Sequence, residues 1–99
     1  MSYYIIWEYE VPEENIPEFE NEYGKGGAWN RFYMQSPFYQ GTTLLKPTEQ
    51  NQNYVIIDRW VDQPAYDNFL RDCKDGYNGL SKIYSRLYVK EEKVGQYTD

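Results

Sequence analysis

The sequence contains no histidine among its 99 residues, and that absence removes whole classes of mechanism. Hydrolytic triads that rely on imidazole, histidine-ligated haem and the common His-containing zinc sites all lose their required group. Any general base must therefore be a carboxylate, a phenolate, a lysine or water, and no metal site is expected. A single cysteine, Cys73, excludes an internal disulfide. The chain opens on Met-Ser-Tyr, without the basic and apolar regions of a secretory leader, so a reducing cytoplasm is the expected location. No stretch approaches the roughly 20 apolar residues of a membrane span, and no repeat or low-complexity tract occurs. Basic residues are scarce, 10 against 16 acidic, giving a net charge of −6 and a pI near 4.6. That balance repels phosphate backbones and anionic lipid heads, so neither nucleic acid nor a membrane surface is an expected partner.

Aromatic rings are what the chain has in abundance: 19% of residues, including 12 Tyr and 3 Trp. Amphipathic rings of this kind line cores, interfaces and pockets with a polar rim, which points to a flat or apolar ligand. The length corresponds to one domain spanning residues 1–99. From Tyr3 to Val11 the odd positions are all apolar or aromatic, the period of a strand. Asn15 with Glu18 three residues on, and Pro17 between them, predicts a helix start capped by Asn15. Ile16, Phe19 and Tyr23 keep helical spacing until Gly24-Lys25-Gly26-Gly27 breaks it. Ala28, Trp29, Phe32 and Tyr33 then resume an apolar face, so the first helix is expected in two pieces.

Ser36-Pro37 ends that helix, and Tyr39 to Lys46 reads as a second strand, joined through a polar hairpin loop to a third over Tyr54 to Val61. In the third strand Val55, Ile57 and Val61 share one side and Tyr54, Ile56 and Trp60 the other, so both faces call for cover. Asp62 and Pro64 start a second helix whose apolar stripe runs from Tyr66 through Cys73 and Tyr77 to Tyr84, weakened in its middle by Gly76 and Gly79. A last strand over about Leu87 to Tyr97, rich in alternating charge, has the pattern of a partly exposed edge, with folded chain expected until about Gly95. The order is βαββαβ, the α+β ferredoxin-like sandwich, with four antiparallel strands carrying two helices on one face. The other sheet face would be left bare with Tyr4, Ile6 and one side of the third strand on it, and a second copy of the chain is its natural cover.

Over essentially its whole length the chain resembles the antibiotic biosynthesis monooxygenase family of dimeric α/β barrels, and three segments carry the resemblance. They are Glu22-Tyr23-Gly24 with Gly27, Trp29 and Phe32; Ser36-Pro37-Phe38-Tyr39-Gln40-Gly41-Thr42 leading into Leu44-Leu45; and Asp58-Arg59-Trp60 with Asp62, Ala65 and Tyr66. The resemblance implies a homodimeric α/β barrel that oxygenates a small aromatic or quinol-like compound without cofactor. Two positions depart from the family pattern. Phe38 stands where a glycine is usual after the proline. Phe69 stands where many members carry a histidine, so haem degradation of the kind found in the superfamily is not expected here.

The Gly24–Gly27 run lacks the spacing and the Ser or Thr of a phosphate-binding loop and is read as a helix break. Cys73 has no histidine to activate it and is read as packing. The acidic residues Glu13, Glu14, Glu18, Glu20 and Glu22 are read as the solvated side of the first helix. The candidate substrate pocket comprises Trp29, Asn30, Arg31, Tyr33, Trp60, Tyr66 and Asn68, which mix rings with hydrogen-bond donors. In cofactor-free oxygenation an aromatic substrate loses a proton and its anion reacts with dioxygen in a water-poor pocket. Arg31 or Arg59 would pair with that anion, Asn30 or Asn68 would donate to a carbonyl, and the rings would stack. Asp58, between Ile56 and Trp60 on one strand face, is the candidate base and with Arg59 makes up the catalytic candidates; burial would raise its pKa, or an arginine would claim it. The sequence leaves open whether its face meets the helices or a partner chain. A non-catalytic ligand-binding or structural homodimer of the same fold is the alternative function. The two separate on whether a cavity holds convergent polar groups or is closed by side chains.

Overall fold

The computed structural model describes residues 1–99. The chain runs β1 (Tyr3–Glu10), α1 (Ile16–Tyr23), α2 (Ala28–Tyr33), β2 (Tyr39–Leu45), β3 (Tyr54–Trp60), α3 (Gln63–Asp72), α4 (Lys74–Tyr84) and β4 (Lys90–Thr98), with short 3-10 turns at Glu13–Asn15 and Ser85–Leu87. The strands form one antiparallel sheet in the order β2-β3-β1-β4. This is the expected α+β ferredoxin-like arrangement, and β2 and β4 are its edges. The strand alternation of the sequence translates directly into burial. Tyr3, Ile5 and Tyr9 of β1 and Tyr54, Ile56, Asp58 and Trp60 of β3 are buried, and they stack with Phe19, Tyr23, Tyr33, Tyr66, Phe69 and Leu87 from the other layer. Trp60, Phe19, Ile5 and Leu87 are fully enclosed. The core is largely aromatic, with neighbouring rings tilted or edge-on at centroid separations such as 5.6 Å for Tyr33–Trp60 and 5.3 Å for Tyr9–Phe19, the geometry that ring quadrupoles favour.

The helix break at Gly24–Gly27 is present, and close approach accounts for part of it: a Cβ on Gly27 would lie 2.4 Å from the Asn21 carbonyl oxygen. Several local expectations are corrected. Asn15 makes no side-chain cap; its amide instead donates to the Arg86 and Leu87 carbonyls at 3.4 and 3.3 Å, tying the start of α1 to the turn before β4. The acidic face of α1 is not merely solvated, since Glu18 forms a double contact with Arg86 and Glu20 accepts from the Tyr54 hydroxyl at 2.6 Å. The second long helix breaks at Cys73 rather than weakening at its glycines, and α4 runs straight through both. Packing overrides propensity there, because a Cβ at Gly76 would sit 2.8 Å from the edge of the Phe32 ring. Leu87 lies in a turn rather than in the last strand, which begins at Lys90 and continues past Gly95 to Thr98.

The helices cover one face only. The opposite face presents Tyr4, Ile6, Thr43, Val55, Ile57 and Tyr97, with Leu45 at 48% exposure beside them. No helix of the chain is long and apolar enough to cross a membrane.

Candidate functional site

Between the helices and the sheet lies a small pocket walled by Trp7, Tyr9, Tyr23, Trp29, Tyr33 and Tyr77, with Thr42, Ile56, Asp58 and Glu91 completing it. Asp58 is its one deeply buried carboxylate, 5% exposed. The two-residue period of β3 puts Asp58 between Ile56 and Trp60 on the helix-facing side, which decides the question the sequence left open. Burial pushes its carboxyl up to about 6, against the opposing pull of the Thr42 hydroxyl and the Trp7 indole. The Thr42 hydroxyl donates to Asp58 Oδ1 at 2.6 Å and is itself hydrogen-bonded to the Tyr39 hydroxyl, which accepts from Asn30 Nδ2 at 2.9 Å. The surrounding phenols are held neutral: burial raises Tyr33 and Tyr9 well above their usual range, and Tyr66 and Tyr77 are also raised by burial first. At the rim the Tyr9 hydroxyl donates to Glu91 at 2.7 Å.

The pocket is nearly full. Its free space is 20 Å³, room for one water molecule and far below the roughly 300 Å³ of an ordinary small-molecule site. A haem does not fit these residues, which offer neither that space nor a histidine ligand. Trp29 carries the one feature of the wall that lacks a partner, a buried indole N–H with no acceptor. The side chains close the pocket on the α4 side weakly. None of the 11 residues of α4 is fully buried, and Tyr77 meets Trp29 edge-on at 5.3 Å.

The predicted site residues separate into three groups. Asp58, Trp29, Asn30 and Tyr33 come together, the first, second and fourth at the pocket wall and Asn30 one hydrogen bond behind. Trp60 and Tyr66 are core residues packed ring against ring at 5.5 Å. Arg59, Arg31 and Asn68 are exposed and do not reach the pocket. Arg59 lies on the opposite sheet face from Asp58 because consecutive strand residues alternate, and its guanidinium donates to the Gln40 carbonyl at 3.2 Å. Arg31 folds back on the Gly26 carbonyl at 2.6 Å. Asp58 and Arg59, both catalytic candidates from the sequence, therefore do not meet, and only Asp58 lies in the pocket. Cys73 is half-buried against the core, and it lies on an open surface groove of 1070 Å³ between α2 and α4. Sequence reasoning missed Trp7, Tyr39, Thr42, Tyr77 and Glu91. The inward period of β1 was a signal for Trp7, whereas Thr42 and Glu91 depend on strand register.

No protein-family model matches the chain, and no curated protein matches its sequence. Among solved structures, a single-residue variant of SnoaB, a cofactor-independent oxygenase from Streptomyces nogalater, superposes with a TM-score of 0.77 at 22% identity, over 99% of this chain and 92% of that one. A Nitrosomonas europaea protein provisionally named an antibiotic biosynthesis monooxygenase gives 0.75 at 10% identity, over 99% and 89%. A haem-degrading protein from Mycobacterium tuberculosis gives 0.57 at 25% identity, over 70% and 77%. The chain therefore has the fold of the antibiotic biosynthesis monooxygenase domain, as its sequence segments implied.

Proposed function

We propose that this chain, which has the antibiotic biosynthesis monooxygenase fold, is a cofactor-independent oxygenase acting on a small hydroxylated aromatic or quinol-like compound. The observation that carries the reading is Asp58, a carboxylate enclosed among rings with its pKa pushed up to about 6. A base with that pKa is largely ionised near neutral pH and retains a proton-transfer driving force a normal aspartate lacks. Asp58 takes a proton from the bound phenol or enol. Trp7, Trp29 and Tyr33 flank the resulting anion, and their neutral, tightly packed walls keep water from quenching its reaction with dioxygen. The exposed positions of Arg31, Arg59 and Asn68 leave the anion-stabilising role to the Thr42 hydroxyl and the unpartnered Trp29 indole N–H.

A pocket of 20 Å³ admits no such substrate while it is closed. Entry therefore requires α4 to swing away and carry Tyr77 with it. A helix without a fully buried residue is the wall segment that opens at least cost. The filled pocket is also the specific observation favouring the second reading, a structural or ligand-binding homodimer that keeps the fold without the chemistry. One experiment divides them: anaerobic titration of Trp fluorescence with hydroxylated aromatics and quinols, followed by oxygen consumption on admitting air. Saturable quenching followed by oxygen uptake that Asp58→Asn abolishes is the expected result. Binding without uptake supports a ligand-binding module, and no binding across the panel supports the structural dimer.

The homodimer itself belongs to this proposal, with the bare sheet face as the contact, since its contiguous apolar side chains lie on one surface. Ile57 sits at its centre, opposite Ile6 on one side and Thr43 on the other. Wild-type protein should sediment at twice 12.0 kDa, and Ile57→Glu, which adds one charge per subunit there, should sediment at 12.0 kDa. A wild-type mass of one chain would rule the contact out.

A further inference from the structure

The hydrogen-bonded chain behind Asp58 has a direction that its chemistry dictates. An ionised carboxylate only accepts, so the Thr42 hydroxyl spends its single hydrogen on Asp58 at 2.6 Å. The Tyr39 hydroxyl must then be the donor in its contact with Thr42. One of its two acceptor sites takes the Asn30 amide at 2.9 Å, and the other stays free. Asn30 is itself held in one orientation, because its Oδ1 accepts from the Gly26 N–H at 3.0 Å. That gives the glycine loop before α2 a role beyond breaking a helix. Gly26 takes a φ of 80°, a conformation that L side chains rarely adopt.

A β-bulge makes the chain feasible. In a regular strand Tyr39 and Thr42, three residues apart, would project to opposite faces. The pairing of β2 with β3 skips Gln40, with Tyr39 opposite Trp60 and Gly41 opposite Arg59, and Gly41 absorbs the extra residue at a φ of 130°. Both hydroxyls are thereby placed on the helix side. Bulges of this kind commonly re-aim a side chain beside a functional site. Thr42 lines the closed pocket, and with Tyr39 and Asn30 it also lines an open groove of 710 Å³ that begins at Lys25 and Met34 beside the β2 edge and continues onto the bare sheet face at Ile6 and Ile57, the part a second copy would cover.

We propose that Thr42 and Tyr39 form a proton conduit from Asp58 to this groove, so that the base is reset while the pocket stays closed to water. The idea takes its purpose from the reading of Asp58 as a base. In one concerted shift the O–H bond on Asp58 breaks and its proton passes to Thr42 Oγ1. With Asp58 protonated the two hydroxyls turn over, so that Thr42 gives its own proton to Tyr39 Oη and Tyr39 gives its own to water at the Lys25 and Met34 end of the groove. Each hydroxyl ends neutral, the carboxylate is restored, and nothing is oxidised or reduced. The charged or titratable groups facing Asp58 from the other elements are Tyr9 and Glu91 on the strands and Tyr23, Tyr33, Tyr66 and Tyr77 on the helices. All five phenols are raised by burial, which leaves Glu91, at the rim, as the other carboxylate of the pocket wall.

The test uses substrate-free protein and follows the protonated-carboxyl infrared band of Asp58, assigned by its loss in Asp58→Asn, after a pH jump from about 8 to about 5. Tyr39→Phe keeps the ring between Tyr33 and Trp60, at 5.5 and 5.3 Å, and removes only the hydroxyl oxygen. Protonation should slow by about tenfold or more in Tyr39→Phe and stay near the wild-type rate in Thr42→Ser, which keeps a hydroxyl. If Tyr39→Phe does not fold, Thr42→Val against Thr42→Ser reads the same step. Equal rates in the variants with and without the hydroxyl overturn the conduit while leaving Asp58 as a base. A failure of oxygen uptake with the rates separated overturns the oxygenase reading and leaves the conduit. Absence of the band between about pH 4 and pH 8 overturns both.

Discussion

Asp58→Asn should make the protein more stable at pH 8 and slightly less stable at pH 4, an inversion that few surface substitutions produce. The carboxyl has a pKa of about 6 in the fold against 3.8 as its ordinary value, and burial is the main cause. A raised acid binds its proton more tightly in the folded state, so its contribution to stability is greatest at low pH. That contribution is lost as pH rises from about 4 through about 6. Two pKa units correspond to about 3 kcal/mol. The Asn side chain keeps an acceptor for the Thr42 hydroxyl but brings a buried N–H facing the Trp7 indole, which returns about 1 kcal/mol. The net gain of about 2 kcal/mol at pH 8 corresponds to a Tm rise of about 10 °C for a chain of this size. Calorimetry at the two pH values checks it. Glu18, Glu20 and Asp99, whose carboxyls are lowered by their partners, destabilise both proteins alike on acidification and cancel in the difference. A Tm difference that does not change with pH would mean that Asp58 is not shifted, and the case for it as the base would go too.

Trp29→Ala should cost about 3 kcal/mol and enlarge the pocket so that a single ring enters without displacing α4. The indole packs against Tyr23, Phe32, Tyr33 and Tyr77 with centroids 5.3 to 6.2 Å away. Its removal joins a void on the order of 100 Å³ to the existing 20 Å³, approaching the size at which engineered apolar cavities take up benzene. Indole or phenol at about 100 times its Kd should then restore about 2.7 kcal/mol, read as a thermal shift larger than in the wild type. A variant that is destabilised but indifferent to both compounds would show that the helices collapse onto the gap. The pocket would then be a packing seam rather than a chamber.

Much of this molecule could be read along the chain. The alternation in Tyr3–Val11 and Tyr54–Val61 and the spacing of Phe19, Tyr23, Tyr33, Tyr66 and Phe69 depend on the two- and 3.6-residue periods of local backbone geometry, and they predicted the sheet, the helices and the buried rings. A bare opposite face was implicit in the same alternation, whereas which face of β3 meets the helices was not. Asn15 shows where local reading fails: its residue type suits a cap, yet carbonyls 71 and 72 positions away claim its amide.

The site itself was decided at longer range. The sequence placed Asp58 and Arg59 side by side, and the strand separates them onto opposite faces. It also separates Tyr39 from Thr42, and one bulge, visible only once β2 is registered against β3, brings their hydroxyls together. Glu91 meets Tyr9 because the last strand returns beside the first. Local periodicity sets what each segment is and which way its rings point. Register, bulges and the closure of the sheet set which polar atoms converge, since those depend on pairings between residues far apart in sequence and leave no trace in the order of neighbours.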